Sequence, residues 1–163
     1  MPNWCEGYLK IRGKKEDLIN FIENEILLMN YIDADNIEEE NIELGFYDFE
    51  YFFGYDKSER QYLYLKNSRK LFIENESISF QCYELENTLH YLTLHIRRAW
   101  SAMNEKMLIE DSKKYHLDFN LYANERNMEV EEYLIVIDGK VAKKEKRSFD
   151  DFYFEAINPE LGG

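Results

Sequence analysis

The sequence predicts a single domain of the α+β class, in which an antiparallel sheet carries two main helices on one face together with extra strands. Two segments repeat apolar residues at helical spacing, and several others alternate apolar with polar residues as strands do. An Asp-Gly pair between two such strands marks a tight hairpin. A hydrophobic content of 45% is far above that of disordered chains, and residues 1–163 are enough for one domain with its own core.

The first strand is predicted for residues 4–11, and the first helix opens at residue 14. Glu16 and Asp17 suit the positive N-terminal end of that helix. Its apolar positions recur at spacings of three and four, which places them on one face: Leu18, Ile19, Phe21, Ile22, Ile26 and Leu27. Residues 33–41 are too polar and acidic to be core, so we expect a loop or a frayed helical turn there.

Residues 46–55 predict a strand with aromatic side chains on both faces. With a period of two, one face is fully aromatic and is expected to point to the core: Tyr47, Phe49, Tyr51 and Phe53. The opposite face mixes aromatic and acidic residues: Phe46, Asp48, Glu50 and Phe52. Further strands are predicted at residues 61–66, 70–74, 77–83 and 90–96.

The last third of the chain predicts a second helix and a hairpin. Ser101 is expected to cap a helix that runs to about Tyr115, with four apolar residues toward the core: Met103, Met107, Leu108 and Tyr115. Residues 132–137 and 140–142 flank Asp138–Gly139, the strongest two-residue hairpin signal in the chain.

Negative charge is concentrated in residues 16–56. This segment holds thirteen carboxylates and no Lys or Arg, and the 20 acids outside it equal the 20 bases, so it carries the whole net charge of −13. Such a segment repels phosphate, which excludes direct nucleic-acid binding by it, and it attracts a positively charged partner. The alternative interpretation is a solvated acidic surface that only keeps the protein soluble.

Motifs for catalysis are missing from the sequence. His90, His95 and His116 lack the spacing of a zinc site, and Cys5 and Cys82 form neither a CxxC pair nor a disulfide framework. We therefore expect no enzymatic activity, no cofactor and no bound metal. The first residues lack the basic and apolar regions of a signal peptide, and no apolar run approaches the ~20 residues of a membrane helix. These features predict a cytoplasmic protein without a membrane partner.

Two separated blocks of the sequence carry recognisable motifs. The first block is Pro2–Asn3–Trp4–Cys5–Glu6 with Leu9, Ile11 and Gly13. The second is Ala99–Trp100–Ser101, a helix that ends Ser112–Lys113–Lys114–Tyr115, then Leu117–Asp118–Phe119 and Tyr122. Together these blocks resemble the YubB-like family of phage and plasmid proteins.

The chain also departs from the pattern of that family. Ala102–Met103 replaces two prolines, and an acidic aromatic insertion around residues 31–60 stands where the family has a tryptophan- and glycine-rich middle. The resemblance implies a ferredoxin-like antiparallel sheet with the helices on one face. It implies no activity and no catalytic residues.

The leading functional hypothesis is a non-catalytic binding protein of a phage or mobile element. Its acidic segment would dock on a basic, nucleic-acid-binding host protein, and in its most specific form it would be an anti-CRISPR type of inhibitor that mimics nucleic acid. Spaced carboxylates would imitate phosphates, and aromatic rings would add apolar contact. The predicted contact residues are Asp33, Asp35, Glu38, Glu39, Glu40, Glu43, Phe46, Asp48, Glu50 and Phe52.

Two alternatives remain open. The first is an accessory protein that self-associates, for example as a dimer, or joins a phage or plasmid complex. The contact would be a sheet edge or the aromatic tail at Phe149, Phe152, Tyr153 and Phe154. The second is a metal-dependent nucleic-acid hydrolase, in which Asp48 and Glu50 on one strand face would hold Mg²⁺.

Overall fold

The computed structural model describes residues 3–33, 36–82, 88–126 and 129–148. Within these ranges the chain forms two antiparallel sheets and two α-helices, α1 (Lys15–Glu25) and α2 (Glu105–Tyr115). The strands are β1 (Trp4–Gly13), β2 (Ile26–Tyr31), β3 (Ile37–Asn41), β4 (Gly45–Tyr47), β5 (Glu50–Gly54), β6 (Gln61–Leu65), β7 (Leu71–Ile73), β8 (Ser77–Gln81), β9 (His90–Ala99), β10 (Asp118–Glu125), β11 (Val130–Ile137) and β12 (Lys140–Ser148).

The larger sheet has nine strands in the order β12-β11-β10-β1-β9-β7-β6-β2-β3, and the smaller sheet has the order β4-β5-β8. Strand β1 lies at the centre and pairs with β9 and β10, with Leu9 opposite both Leu94 and Leu121. The edges of the large sheet are β3 and β12. The aromatic tail that the sequence analysis singled out lies outside the described residues.

The predicted ferredoxin-like α+β class is wrong, because the chain is predominantly β with only two α-helices among the described residues. The first helix is also shorter than the sequence predicted. Helix α1 stops at Glu25, and Ile26 starts strand β2 at once, although Ile26 and Leu27 continue the helical spacing. Four consecutive residues from Ile26 to Met29 are buried, because both faces of β2 are covered. Such a short apolar run has no period that separates helix from strand.

One face of the large sheet is covered by α1, α2 and the small sheet, and the main core lies between these layers. Strand β1 shows the alternation that this arrangement requires: Cys5, Leu9 and Ile11 are buried, whereas Trp4 and Lys10 are exposed on the opposite side. We call that opposite side the open face. Within the core, Phe21 packs edge-to-face against Tyr115 and against Phe119, with ring centroids 5.5 Å apart in both pairs.

The C-terminal predictions are confirmed in part. Ile137 pairs with Lys140 around Asp138 and Gly139, whose φ angles of 50° and 67° are those of a two-residue hairpin loop. In α2, Met107, Leu108 and Tyr115 are buried as predicted. The helix begins at Glu105, however, and not after Ser101.

Residues 46–55 form a hairpin instead of the single strand that the alternation predicted. Tyr47 pairs with Glu50, and Asp48 and Phe49 form the loop with φ angles of 49° and 61°. Positive φ at both positions is what a type I′ hairpin turn requires. Because the chain reverses there, Tyr47 and Phe49 are exposed and do not join the core.

None of the described helices has the length and apolarity needed to cross a membrane.

Candidate functional site

Edge strand β3 presents a row of carboxylates to solvent. All five of its residues are exposed, and three of them are Glu38, Glu39 and Glu40. The strand pairs with β2 on one side, and no other described strand pairs with it on the other. Backbone groups on that outer side are therefore available for hydrogen bonding with water or with another chain.

The pleat of β3 divides these carboxylates between the two faces of the sheet. Glu39 lies opposite Met29 on the open face, where burial and a hydrogen bond with Glu39 raise the pKa of Tyr64 to about 12. Glu40 lies on the other face, where its Oε1 accepts a hydrogen bond from Asn30 Nδ2 at 3.4 Å. The continuous acidic surface predicted from the sequence is thus split.

A short anchored link joins β3 to the aromatic hairpin, which we define as residues 45–54. Ile42 is buried in the main core. The backbone N–H of Leu44 donates to Glu23 Oε1 at 3.0 Å, and Asn41 Nδ2 donates to the Glu23 carbonyl oxygen at 2.9 Å. Because α1 holds both ends of the link, the hairpin is fixed close to the acidic edge strand.

The aromatic hairpin exposes four large rings. The exposed fractions are 54% for Phe46, 85% for Tyr47, 61% for Phe49 and 48% for Phe52. Tyr51, on the inner side of the hairpin, stacks on Phe80 with ring centroids 5.3 Å apart. The ring centroid of Phe46 lies 4.7 Å from that of Tyr51. The hairpin register places Phe46 on the packed face with Tyr51, Tyr47 and Phe52 on the opposite face, and Phe49 in the loop between them. Exposed aromatic rings that are close in the chain, such as these, are typical of protein-binding surfaces.

The predicted contact residues fall into three groups. The first lies on β3 and its link: Glu38, Glu39, Glu40 and Glu43. The second lies on the aromatic hairpin: Phe46, Asp48, Glu50 and Phe52. Asp33 precedes β3, where its backbone N–H donates to the Asn36 carbonyl oxygen at 3.4 Å, and it lines a cavity on the open face. Asp35 lies outside the described residues. Sequence reasoning missed Tyr47 and Phe49, which it assigned to the core, because Asp-Phe carries no glycine to mark the turn.

The cavity on the open face has a volume of about 490 Å³ and four aromatic walls: Trp4, Tyr31, Tyr62 and Phe72. Two arginines and two acids complete its lining: Arg60, Arg97, Asp33 and Glu74. The Arg97 guanidinium lies 4.6 Å from the centroid of the Trp4 ring, and its Nε is 3.3 Å from Glu74 Oε1. The charges in this cavity are balanced, so it does not extend the acidic surface.

Groups able to perform chemistry are few in the described part of the chain. Burial raises the pKa of the Cys5 thiol to about 12, with the nearby Glu132 charge adding to the effect, so the nucleophilic thiolate is not formed at neutral pH. The described residues contain no group of three or more His, Cys, Asp or Glu side chains placed to hold a metal ion. Asp48 lies in the hairpin loop and Glu50 in β5, so the predicted pair on one strand face is wrong.

The two blocks behind the family resemblance meet in space, since β1 pairs with β9 and the Trp100 N–H donates to the Asn3 carbonyl oxygen at 2.8 Å. Membership of that family stays a prediction. Comparisons of the chain with protein-family models, curated proteins and solved structures gave no match.

Proposed function

We propose that the protein is a non-catalytic binding protein, which docks on a basic surface of a partner protein through β3 and the aromatic hairpin. The observation that carries this proposal is the position of four exposed aromatic rings one short, anchored link away from three exposed glutamates. The glutamates attract a basic partner, and the aromatic rings supply the apolar contact that charge alone does not give.

The carboxylates act mainly on encounter and specificity. A patch of one sign attracts an oppositely charged partner over a distance and rejects partners of like charge, but exposed ion pairs add little affinity. The aromatic rings supply the affinity, because buried Trp, Tyr and Phe side chains dominate the energetics of protein interfaces. On this view Phe49 and Tyr47, at the tip of the hairpin, are the anchors.

A nucleic-acid-binding protein is the partner class that fits this surface best. Glu38 and Glu40 lie two residues apart on the same side of β3, so their backbone positions are separated by about twice the rise of about 3.4 Å per residue. This separation matches the axial rise of two nucleotides along one strand of duplex DNA, at about 3.4 Å each. The specific form of the proposal is an inhibitor that occupies a nucleic-acid groove of its partner.

The test is a pull-down from host lysate, at low and high salt, with the wild type and three variants. The first variant, Glu38→Gln/Glu40→Gln/Glu43→Gln, removes charge from the acidic surface. The second, Phe49→Gly, removes an exposed ring while keeping the hairpin, because Asp-Gly suits a type I′ turn. The matched control, Glu16→Gln/Glu59→Gln/Glu110→Gln, removes the same charge from other exposed positions.

We expect the wild type and the matched control to capture the same basic protein at low salt and to release it at high salt. Both site variants should lose it, and duplex DNA should compete for it. Capture that is equal in all four proteins would contradict the proposal and leave the acidic segment a solubility role. Loss with the matched control as well would show that total charge, and not this surface, decides binding.

A further inference from the structure

The two edges of the nine-stranded sheet carry opposite charges. At one edge, β3 has three glutamates and no base. At the other, β12 has five bases and one acid: Lys140, Lys143, Lys144, Lys146, Arg147 and Glu145. Every residue of both strands is exposed except Glu145, which is half-buried. The sheet therefore has an acidic end and a basic end.

Edge charges decide which edges are able to pair with each other. An exposed edge offers unpaired backbone N–H and C=O groups to any strand that approaches it. Two β3 edges would place glutamates against glutamates, and two β12 edges would place bases against bases, which disfavours both pairings. Only β3 against β12 brings opposite charges together.

Four of the five bases of β12 have ion-pair partners among the described residues, and most of those pairs are at the surface. Lys143 Nζ lies 3.1 Å from Glu145 Oε1, Arg147 also pairs with Glu145, and Lys144 pairs with Glu105. The bases of these three pairs are exposed and their carboxylate partners are half-buried, so the pairs are partly open to solvent. Ion pairs at the surface contribute little free energy, so exchange with a carboxylate of another molecule costs little. Lys146 differs, because its partner Glu132 is buried.

We propose that the acidic edge β3 of one molecule pairs with the basic edge β12 of a second copy of this chain, so that the large sheet continues from molecule to molecule. The contact is head-to-tail, because two different surfaces meet, and it leads to a ring or an open chain instead of a twofold dimer. This inference goes beyond the proposed function, because it adds β12 and a second copy of the chain, and it does not involve the aromatic hairpin. Both use β3, so a partner and a second copy would compete for that edge.

The test measures mass in solution by sedimentation velocity, over a range of concentrations and at low and high salt. One charge variant, Glu38→Lys/Glu40→Lys, makes both edges basic and leaves Glu39 in place because it bonds with Tyr64. The other, Lys140→Glu/Lys143→Glu/Arg147→Glu, makes both edges acidic and leaves intact the pairs with Glu105 and Glu132. The hairpin variant Phe49→Gly serves as the control.

We expect the wild type and Phe49→Gly to increase in mass with concentration and to dissociate in high salt. Each charge variant alone should stay monomeric, and an equal mixture of the two should associate again, a result that unfolded protein cannot give. A wild type that stays monomeric, an association that salt does not weaken, or a mixture that stays monomeric would each overturn the proposal. Loss of association in Phe49→Gly would also overturn it, because the hairpin would then be the contact.

Failure here is distinguishable from failure of the proposed function. Partner capture depends on Phe49, whereas edge pairing does not. If the mixture fails to associate while Phe49→Gly loses the captured protein, the edge pairing is wrong and the proposed function stands. If instead the mixture associates while Phe49→Gly still captures the protein, the edge pairing stands and the proposed function is wrong.

Discussion

The carboxylate of Glu132 accepts a hydrogen bond from the backbone N–H of Met103 at 2.9 Å and so ties strand β11 to the segment before α2. Its other oxygen accepts the Ser101 hydroxyl at 2.6 Å and lies 3.2 Å from Lys146 Nζ. Glu132 is buried, and these donors compensate for the loss of its hydration. Because Ser101 is used in this way, it does not cap the helix, which begins at Glu105.

Replacement of Glu132 should lower the free energy of unfolding more than most single substitutions do. Glu132→Ala leaves the Met103 N–H and the Lys146 ammonium without their acceptor, and we expect the free energy of unfolding to fall by about 3 kcal/mol. Ser101→Ala removes one neutral donor and should cost about 1 kcal/mol. Urea denaturation followed by tryptophan fluorescence measures both. Equal losses in the two variants would show that Glu132 does not organise this segment.

Gly7 is expected to tolerate no side chain, because β1 and β10 approach too closely there. A Cβ at Gly7 would lie 1.9 Å from the Tyr122 carbonyl oxygen and 2.6 Å from Ala123 Cα, both of which are backbone atoms. Gly7→Ala should therefore destabilise the protein by about 3 kcal/mol, at the upper end of overpacking costs. At Gly45 the nearest such atom is 3.6 Å away, so Gly45→Ala should change stability by less than about 0.5 kcal/mol. Thermal unfolding that ranks the two variants in the opposite order would contradict this account.

Local signals were enough to predict some elements of the fold. The Asp138–Gly139 loop was readable because both residues favour the positive φ of a type I′ turn. The buried side of α2, with Met107 and Leu108, was readable because only one side of that helix faces the core. In these cases the short-range pattern and the tertiary structure agree.

Other elements depend on contacts that are distant in sequence. Strand β2 reads as the end of a helix, because its burial on both faces removes the alternation of a strand. Strand β3 is too polar to predict, since it gains its structure by pairing with β2 at an edge. The acidic contact residues were found by composition, but their division between two faces follows from the pleat. The exposure of Phe49 follows from a turn that lacks glycine.

His90 is expected to weaken the fold. Its side chain is only 6% exposed, it packs against Phe80, and neither ring nitrogen has a hydrogen-bond partner among the described residues. A buried polar group without a partner costs about 1–3 kcal/mol, so His90→Leu, which has a similar volume, should raise the free energy of unfolding by about 1 kcal/mol. Urea denaturation of wild type and variant measures the difference. A decrease in stability would mean that the ring makes a polar contact that the leucine loses.

Asp111 should make stability depend on pH in a direction unusual for a carboxylic acid. Burial, and then the charge of Glu25, raises the pKa of Asp111 to about 7, while Lys114 opposes the shift. Because the folded protein holds this proton more tightly than the unfolded chain, the contribution is fully present below the ordinary pKa of 3.8 and is lost as the pH rises through about 7.

Asp111→Asn tests this assignment, because asparagine cannot ionise. Its stability should lack the decrease between about pH 4 and about pH 7, and at about pH 8 it should exceed the wild type by about 1 kcal/mol, since Asp111 is only half-buried and solvent weakens the effect. The free energy of unfolding in urea, measured across this pH range, gives the slopes of both proteins. Identical slopes would assign the pH dependence to another group.

Phe49→Gly should separate the stability of the hairpin from its binding. Phe49 holds a φ of 61°, which costs a residue with a side chain about 1 kcal/mol relative to glycine, and its ring is largely exposed. The variant should therefore unfold at an equal or slightly higher temperature than the wild type, while it loses the protein that the wild type captures. A neighbouring change, Tyr47→Ser, removes a ring without relieving the backbone and should lose binding with no gain in stability. If Phe49→Gly lowers the unfolding temperature, the ring contributes to the packing of the small sheet, and its exposure is not evidence for a partner.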